Sequence, residues 1–379
     1  MPDALMVTSS FLPGRGGIES YLAELCSQVA PRIAVLGPRQ RDGVPIPHGL
    51  GYPTHGLENG SMLVPSKRVV RTISTLAAHY RTTKVIFGTP WPLGLLGPDL
   101  TRRGLSYAVI VHGAEMLVPA AVPGLSQRLA RAMAGAELLL PVSGYTGDAL
   151  RELIQSHGLP VPPIERLHAR VDLDRFHPGV DTAGVRTRLG LSPTDKVVLC
   201  FGRLVKRKGI DRLVAALPAI NKRLPGAVVV IAGTGPEQAR LEKLARASEG
   251  RVIVAGRVED SEAPAFYALA DVFALPVADR FFGLEVEGLG VVLLEAAASG
   301  TPCVTGRSGG TPEAVIGGST GFVVDAEDVG VLADRIAWLL EHPERATEMG
   351  SAGREHVRKD FSALELPTSL LGWLSDGLP

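Results

Sequence analysis

The chain has 379 residues, 45% hydrophobic and 21% charged, with Lys and Arg balancing Asp and Glu. This composition excludes disordered, collagenous and disulfide-framework classes, and the length is more than one ordinary core needs, so two α/β domains are expected. Neutral charge gives no electrostatic footprint for nucleic acid, and no run approaches the ~18 apolar residues of a membrane span.

The zero balance conceals an asymmetry: residues 1–170 hold 16 Lys and Arg against 11 Asp and Glu, and the remainder 23 against 28. A mildly basic first half fits an anionic partner or a plain solvated surface. Cys26, Cys200 and Cys303 are far apart, without metal-ligand spacing, and read as buried thiols of a reducing compartment. The first residues, Met1-Pro2-Asp3-Ala4, lack a basic segment followed by an apolar stretch. The expectation is a cytoplasmic protein whose contact with the inner face of the membrane, if any, is peripheral.

In chain order, residues 5–8 read as a strand, followed by a glycine loop and a helix over 18–30 with Ile18, Leu22, Leu25 and Val29 at helical spacing. From 38 to 66 the pattern lapses into a Gly- and Pro-rich excursion of loops and irregular strand. Residues 66–80 read as a helix carrying Lys67, Arg68 and Arg71 beside Val69, Val70, Ile73 and Leu76. It is either an amphipathic element for an anionic bilayer or a core-facing helix with a solvated basic side. Residues 84–87, 107–111 and 138–142 read as strands. A hinge is placed at 168–178, and 179–195 has no strong strand. A second series then follows, with strands over 197–201, 228–232, 252–254 and 271–275 and helices over 210–224 and 237–247. Such alternation predicts parallel sheets with helices on both faces.

Four loops could carry chemistry. Phe11-Leu12-Pro13-Gly14-Arg15-Gly16-Gly17-Ile18-Glu19 joins the first strand to the first helix, where glycines let backbone N–H groups approach a phosphate or simply make a tight turn. It lacks the third glycine of a dinucleotide fingerprint, as does Gly233-Thr234-Gly235-Pro236, which reads as a structural turn. Arg203 and Lys208, in Phe201-Gly202-Arg203-Leu204-Val205-Lys206-Arg207-Lys208-Gly209, stand beyond a strand's carboxyl end and are spaced to converge on a diphosphate. A solvated basic loop is the alternative. Glu287 precedes a glycine loop, and Glu295, eight positions on, is expected two turns inside the following helix among Val291, Val292, Leu294 and Ala296. A carboxylate so placed needs donors, either the hydroxyls of a sugar or ribose or a nearby Arg or Lys. The loop 306–313 is compatible with phosphate contact or with a turn alone.

Together these segments resemble the retaining glycosyltransferases of family 4. The matching residues are Gly16-Gly17-Ile18, Phe201-Gly202-Arg203-Leu204 with Lys208-Gly209, Gly233-Thr234-Gly235-Pro236, and Glu287 and Glu295 with Ser299-Gly300-Thr301-Pro302. Within that family, Gly283-Leu284-Glu285-Val286-Glu287-Gly288-Leu289-Gly290 looks like the loop of actinobacterial phosphatidylinositol mannosyltransferases.

The resemblance implies an α/β GT-B fold, two Rossmann-like doubly wound domains facing across a cleft. It divides the chain into an acceptor-side domain (1–170), a nucleotide-sugar domain (171–358) and a helix (359–379) returning to the first. It also implies roles: Arg203 and Lys208 for the donor diphosphate, Glu295 for the ribose, and Glu287 with Gly288, Leu289, Gly290 and Val291 for the sugar and phosphate. Gly16 and Gly17 would meet the diphosphate, Val258 the base, and His112 the transferred sugar. Read without the family, His112 is an ordinary core histidine. Asp172-Leu173-Asp174 resembles the hinge signature, with Ala169-Arg170 in place of its usual Asn-Gly, so neither a metal nor another cofactor is expected.

The partners so implied are a nucleotide sugar, foremost GDP-mannose, and a phosphatidylinositol-type glycolipid, without nucleic acid. A UDP-sugar transferase, a nucleotide-sugar epimerase or hydrolase, and a non-catalytic nucleotide-sugar binder are the rivals.

Overall fold

The computed structural model describes residues 1–14, 16–41, 43–57, 63–362 and 366–375. Arg15 of the first glycine loop, six residues of the 38–66 excursion (42 and 58–62) and residues 363–365 and 376–379 lie outside them. The chain divides into two compact units, Met1–His168 with the terminal helix Thr368–Ser375, and Ala169–Leu364.

The first unit holds strands β1 (Ala4–Val7), β2 (Ile33–Gly37), β3 (Gln40–Arg41), β4 (Val44–Pro45), β5 (Thr54–Gly56), β6 (Lys84–Phe87), β7 (Ser106–Val111) and β8 (Leu138–Pro141). β3 and β4 form a small antiparallel pair inside the excursion. The other six make a parallel sheet in the order β5-β2-β1-β6-β7-β8, the doubly wound pattern whose strand order reverses beside its first strand. β1 and β2 are buried along their whole length, as a strand covered on both faces must be.

Helix Lys67–Tyr80 begins at Ser66, whose hydroxyl accepts from the Val69 N–H at 3.3 Å, a cap worth about 1 kcal/mol. It buries Val69, Val70, Ile73, Ala77 and Tyr80 and leaves Lys67, Arg68 and Arg71 exposed. The core-facing description therefore accounts for its pattern. In the terminal helix, Leu370 and Leu374 are buried and the Trp373 indole N–H donates to Glu137 at 2.6 Å.

The second unit repeats the plan with β9 (Lys196–Phe201), β10 (Ala227–Ala232), β11 (Arg251–Gly256), β12 (Val272–Leu275), β13 (Cys303–Gly306) and β14 (Gly321–Val324), parallel in the order β11-β10-β9-β12-β13-β14. Its switch point lies between β9 and β12. Beneath it, Tyr267 packs against Phe176, Phe201 and Phe273, with centroids 5.1–5.7 Å apart. Residues 179–195, read as lacking a strong strand, include a short helix Ala183–Arg188. Only Val185 is buried in it, too few apolar positions to write a period.

At Asp172 the Oδ1 atom accepts from the backbone N–H of Asp174 (2.9 Å) and Arg175 (3.1 Å), which makes this aspartate a turn former. Arg354 ties the same segment down through the carbonyls of Leu173 and Phe176. Beyond β12, Arg280 and Glu285 pair in a short hairpin (N···O 3.1 and 3.2 Å) whose tip carries Phe281 (φ 51°) and Phe282 (φ 56°). Left-handed backbone costs a bulky residue roughly 1–2 kcal/mol.

Candidate active site

The loops after β9, β12 and β13 build a charged site in the second unit, at the strand ends where doubly wound sheets bind ligands. Backbone crowding dictates their glycines. A Cβ at Gly233 would lie 2.0 Å from the Gly202 carbonyl oxygen, and one at Gly235 would lie 2.4 Å from that of Leu204. Gly233-x-Gly235 is thus a packing turn between adjacent strand ends.

After β9 the chain makes a single 3-10 turn, Lys206–Lys208, and Gly209 (φ 63°) turns it into helix Ile210–Arg223. This turn buries Lys208, whose Nζ lies 2.8 Å from Glu287 Oε2. Arg207 donates to the same oxygen and stands 3.9 Å from Glu285. Burial alone would raise the Glu287 carboxyl, but the Lys208 ammonium and then the Arg207 guanidinium outweigh it and hold the pKa below its ordinary value. Both cations bind Oε2, so among the described residues Oε1 remains as the acceptor for a ligand hydroxyl.

The backbone of Glu287 is clamped by the loop after β13. Its N–H donates to Ser308 Oγ (3.0 Å) and its carbonyl accepts from the Gly310 N–H (3.0 Å). Gly309 (φ 49°) passes so close that a Cβ there would sit 2.0 Å from that carbonyl oxygen. The 306–313 loop therefore serves as a brace for Glu287.

Downstream, among the described residues, the N–H groups of Gly288, Leu289 and Gly290 have no hydrogen-bond partner. Gly290 (φ 84°) then starts helix Val291–Ala298 without a side-chain cap. Free N–H groups leading into a helix N-terminus form an anion cradle. Glu295 lies in the second turn of that helix, nearer its start than the spacing predicts, because the loop continues through Gly290. It is half-buried, and the Tyr267 hydroxyl donates to its Oε2 at 2.5 Å. Desolvation pushes the Glu295 carboxyl up to about 7, against the lowering effect of that hydrogen bond.

Of the predicted cations, Lys208 reaches Glu287 while Arg203 is exposed, without a hydrogen bond or ion pair among the described residues. Val258 is half-buried just past the end of β11. Sequence reasoning missed Arg207, Tyr267 and Ser308. Arg207 stood within the basic run and Ser308 within the 306–313 glycine loop, but the tyrosine left no local signal.

In the first unit, His112 follows β7. Its Nε2 donates to the Gly88 carbonyl (3.1 Å), its ring lies edge-on to Tyr21 at 5.3 Å, and its backbone N–H donates to Glu115 (2.6 Å). Desolvation lowers its pKa, so the neutral ring keeps Nδ1 as an acceptor. Gly16 is the uncapped N-cap of helix Gly17–Gln28, and a Cβ there would strike Glu19 at 2.4 Å. A Cβ at Gly17 would meet nothing within 4 Å, which leaves its backbone approachable.

Two such units, each with ligand-ready loops at the carboxyl ends of its strands, define the GT-B class of glycosyltransferases. The backbone matches HepE from Anabaena, solved in complex with UDP, with a TM-score of 0.80 at 20% identity over 99% of this chain and all of that one. It also matches a sucrose-phosphate synthase from Thermosynechococcus elongatus (TM-score 0.79, 21% identity, 98% of both chains).

In sequence, residues 184–356 match the profile of the glycosyl transferases group 1. The chain is 38% identical, over 98% of its length and 99% of the relative's, to a GDP-mannose-dependent alpha-(1-6)-phosphatidylinositol monomannoside mannosyltransferase from Mycobacterium tuberculosis. It is 34% identical over 94% of both chains to a GDP-mannose-dependent monoacylated alpha-(1-6)-phosphatidylinositol monomannoside mannosyltransferase from Corynebacterium glutamicum. The chain belongs to the group 1 glycosyltransferases and is an enzyme of that kind. Among the described residues no helix is long and apolar enough to cross a membrane, and no three His, Cys, Asp or Glu side chains form a metal-binding group.

Proposed function

We propose that this enzyme transfers mannose from GDP-mannose to a phosphatidylinositol mannoside, forming an alpha-(1-6) linkage with retention at the anomeric carbon. The observation that carries the reading is near full-length identity of 38% and 34% to two enzymes from different genera named for this transfer. GDP-mannose is itself an α-glycoside, so an α-linked product means retained configuration.

The residues support the chemistry. Breaking the bond to the anomeric carbon puts negative charge on the leaving diphosphate, and a fixed, partly dehydrated cation lowers that barrier most. Lys208, held by Glu287, supplies one, and the free N–H groups from Gly288 through Val291 supply neutral donors. Arg203 is assigned the outer side of the diphosphate, where its exposure lets it swing onto the ligand. Glu287 Oε1 accepts from sugar hydroxyls, Glu295 from the ribose, and Val258 lines the base. In the first unit, the Gly16-Gly17 turn is assigned to the diphosphate and His112 to the transferred sugar. With Oε2 of Glu287 engaged by two cations and Oε1 assigned to a sugar hydroxyl, both glutamates are assigned as binding groups. The acceptor's proton then passes to the leaving phosphate oxygen. With a lipid acceptor and a nucleotide-sugar donor, the enzyme is assigned to the cytoplasmic face of the membrane as a peripheral protein.

The test is incubation of the purified protein with GDP-, UDP- or ADP-sugars and phosphatidylinositol monomannoside, with product mass and anomeric coupling as readouts. One hexose added from GDP-mannose in α configuration is expected. Transfer from a UDP-sugar alone, or donor breakdown that ignores acceptor, overturns the assignment.

A further inference from the structure

We propose that the hairpin tip Phe281-Phe282 is a membrane wedge that seats the enzyme on an anionic bilayer and carries the sugar site to the lipid surface. Phe281 is 61% exposed and Phe282 fully so, and both hold the left-handed backbone that a bulky side chain avoids. No other described Phe, Tyr or Trp is among the exposed large hydrophobic residues, which are otherwise scattered Met, Val, Ile and Leu.

The tip is rigid. Arg280 and Glu285 exchange both backbone hydrogen bonds, their side chains pair at 3.2 Å, and the Arg280 guanidinium lies 4.6 Å from the Phe281 ring centroid. An aromatic pair underlain by a cation matches the headgroup region of a bilayer, where rings enter the acyl boundary and cations remain with phosphates. Lys206, exposed, shares a hollow of about 240 Å³ with Arg212, Arg240 and Arg280, whose acidic neighbours leave Lys206 as the free charge for a lipid phosphate.

Area separates a bilayer from a protein partner. Two phenylalanines bury about 300–500 Å², short of the roughly 800 Å² per side that a stable protein interface takes, whereas a bilayer requires only local insertion. The wedge is also wired to the sugar site. Lys208, Glu287, Arg207, Glu285 and Arg280 alternate in charge along one chain of contacts that ends under Phe281. What the tip touches is thereby fixed relative to Glu287. The purpose of the wedge rests on the lipid-acceptor reading, while its binding to membrane can be measured without turnover.

The experiment is cosedimentation of the full chain with phosphatidylcholine vesicles with and without phosphatidylglycerol. The paired substitution Phe281→Ser and Phe282→Ser should lower the partition coefficient more than about tenfold. Phe282→Cys gives a second readout. Cys26, Cys200 and Cys303 are buried, so an environment-sensitive dye labels position 282 selectively and should shift to the blue on anionic vesicles. Unchanged sedimentation of the double variant, or a dye without a shift, overturns the wedge. So does a dimer of the parent chain that the double variant abolishes while neither binds vesicles.

Turnover of a deacylated, water-soluble acceptor should be equal in parent and double variant, and a matching loss there would make the tip part of the sugar site instead. If the acceptor assignment is wrong, the parent fails on both acceptors while both vesicle measurements stand.

Discussion

Replacing Glu295 with Gln should change the pH dependence of stability more than stability itself. The carboxyl has an ordinary value of 4.5 and is raised to about 7 in the fold by desolvation. A carboxyl that releases its proton more readily in the unfolded chain favours the folded state below 4.5, and that advantage disappears as pH rises to about 7. At about 1.4 kcal/mol per pH unit the difference is on the order of 3 kcal/mol, a ceiling because the side chain is only half-buried. Glutamine keeps an acceptor for the Tyr267 hydroxyl but has no proton to lose. Urea melts of parent and Glu295→Gln at intervals from pH 4.5 to 8 should therefore diverge, the parent losing up to that amount relative to the variant. Because the ionised form is the better acceptor for ribose hydroxyls, GDP binding to the parent should release protons near pH 6.5, visible as buffer-dependent heat in calorimetry. Parallel melts with no proton release would show that Glu295 is ionised throughout and would refute the reasoning.

Lys208→Ala should lower kcat by about 100- to 1000-fold, the scale of losing one charge-stabilising donor, with circular dichroism unchanged because Arg207 still holds Glu287. Arg207→Ala should cost less in kcat and raise KM for the donor, since it would loosen Glu287 without removing the buried ammonium. Normal turnover of Lys208→Ala removes it from the mechanism. Gly17→Ala should fold normally, as its Cβ meets open space, yet weaken donor binding. Gly309→Ala should lower Tm by several degrees through its 2.0 Å clash with the Glu287 carbonyl, and the reverse ranking in thermal shift would sink both assignments. Transfer should continue in excess EDTA, and a full loss restored by Mg²⁺ would contradict the metal-free reading.

Two features were legible before any coordinates. Strand-and-helix alternation is written in local hydrophobic periods, so four strands of each parallel sheet were readable to within a residue or two of their ends, whereas β2, β5, β13 and β14 were not read as strands. The spacing of Gly202, Lys208, Glu287 and Glu295 is likewise local, and it marked the loops that gather at the ends of β9 and β12.

Only the tertiary structure decided which cation meets which carboxylate. Arg203 and Lys208 looked equivalent in the basic run, but the 3-10 turn before Gly209 buries Lys208 and brings Arg207 beside it onto Glu287, leaving Arg203 in water. Glu295 read as needing either ligand hydroxyls or a nearby Arg or Lys, and the donor the fold brings to it is a tyrosine 28 positions away. Pairing of this kind depends on distances between residues far apart in sequence, and a periodic pattern records only which face of an element is dry.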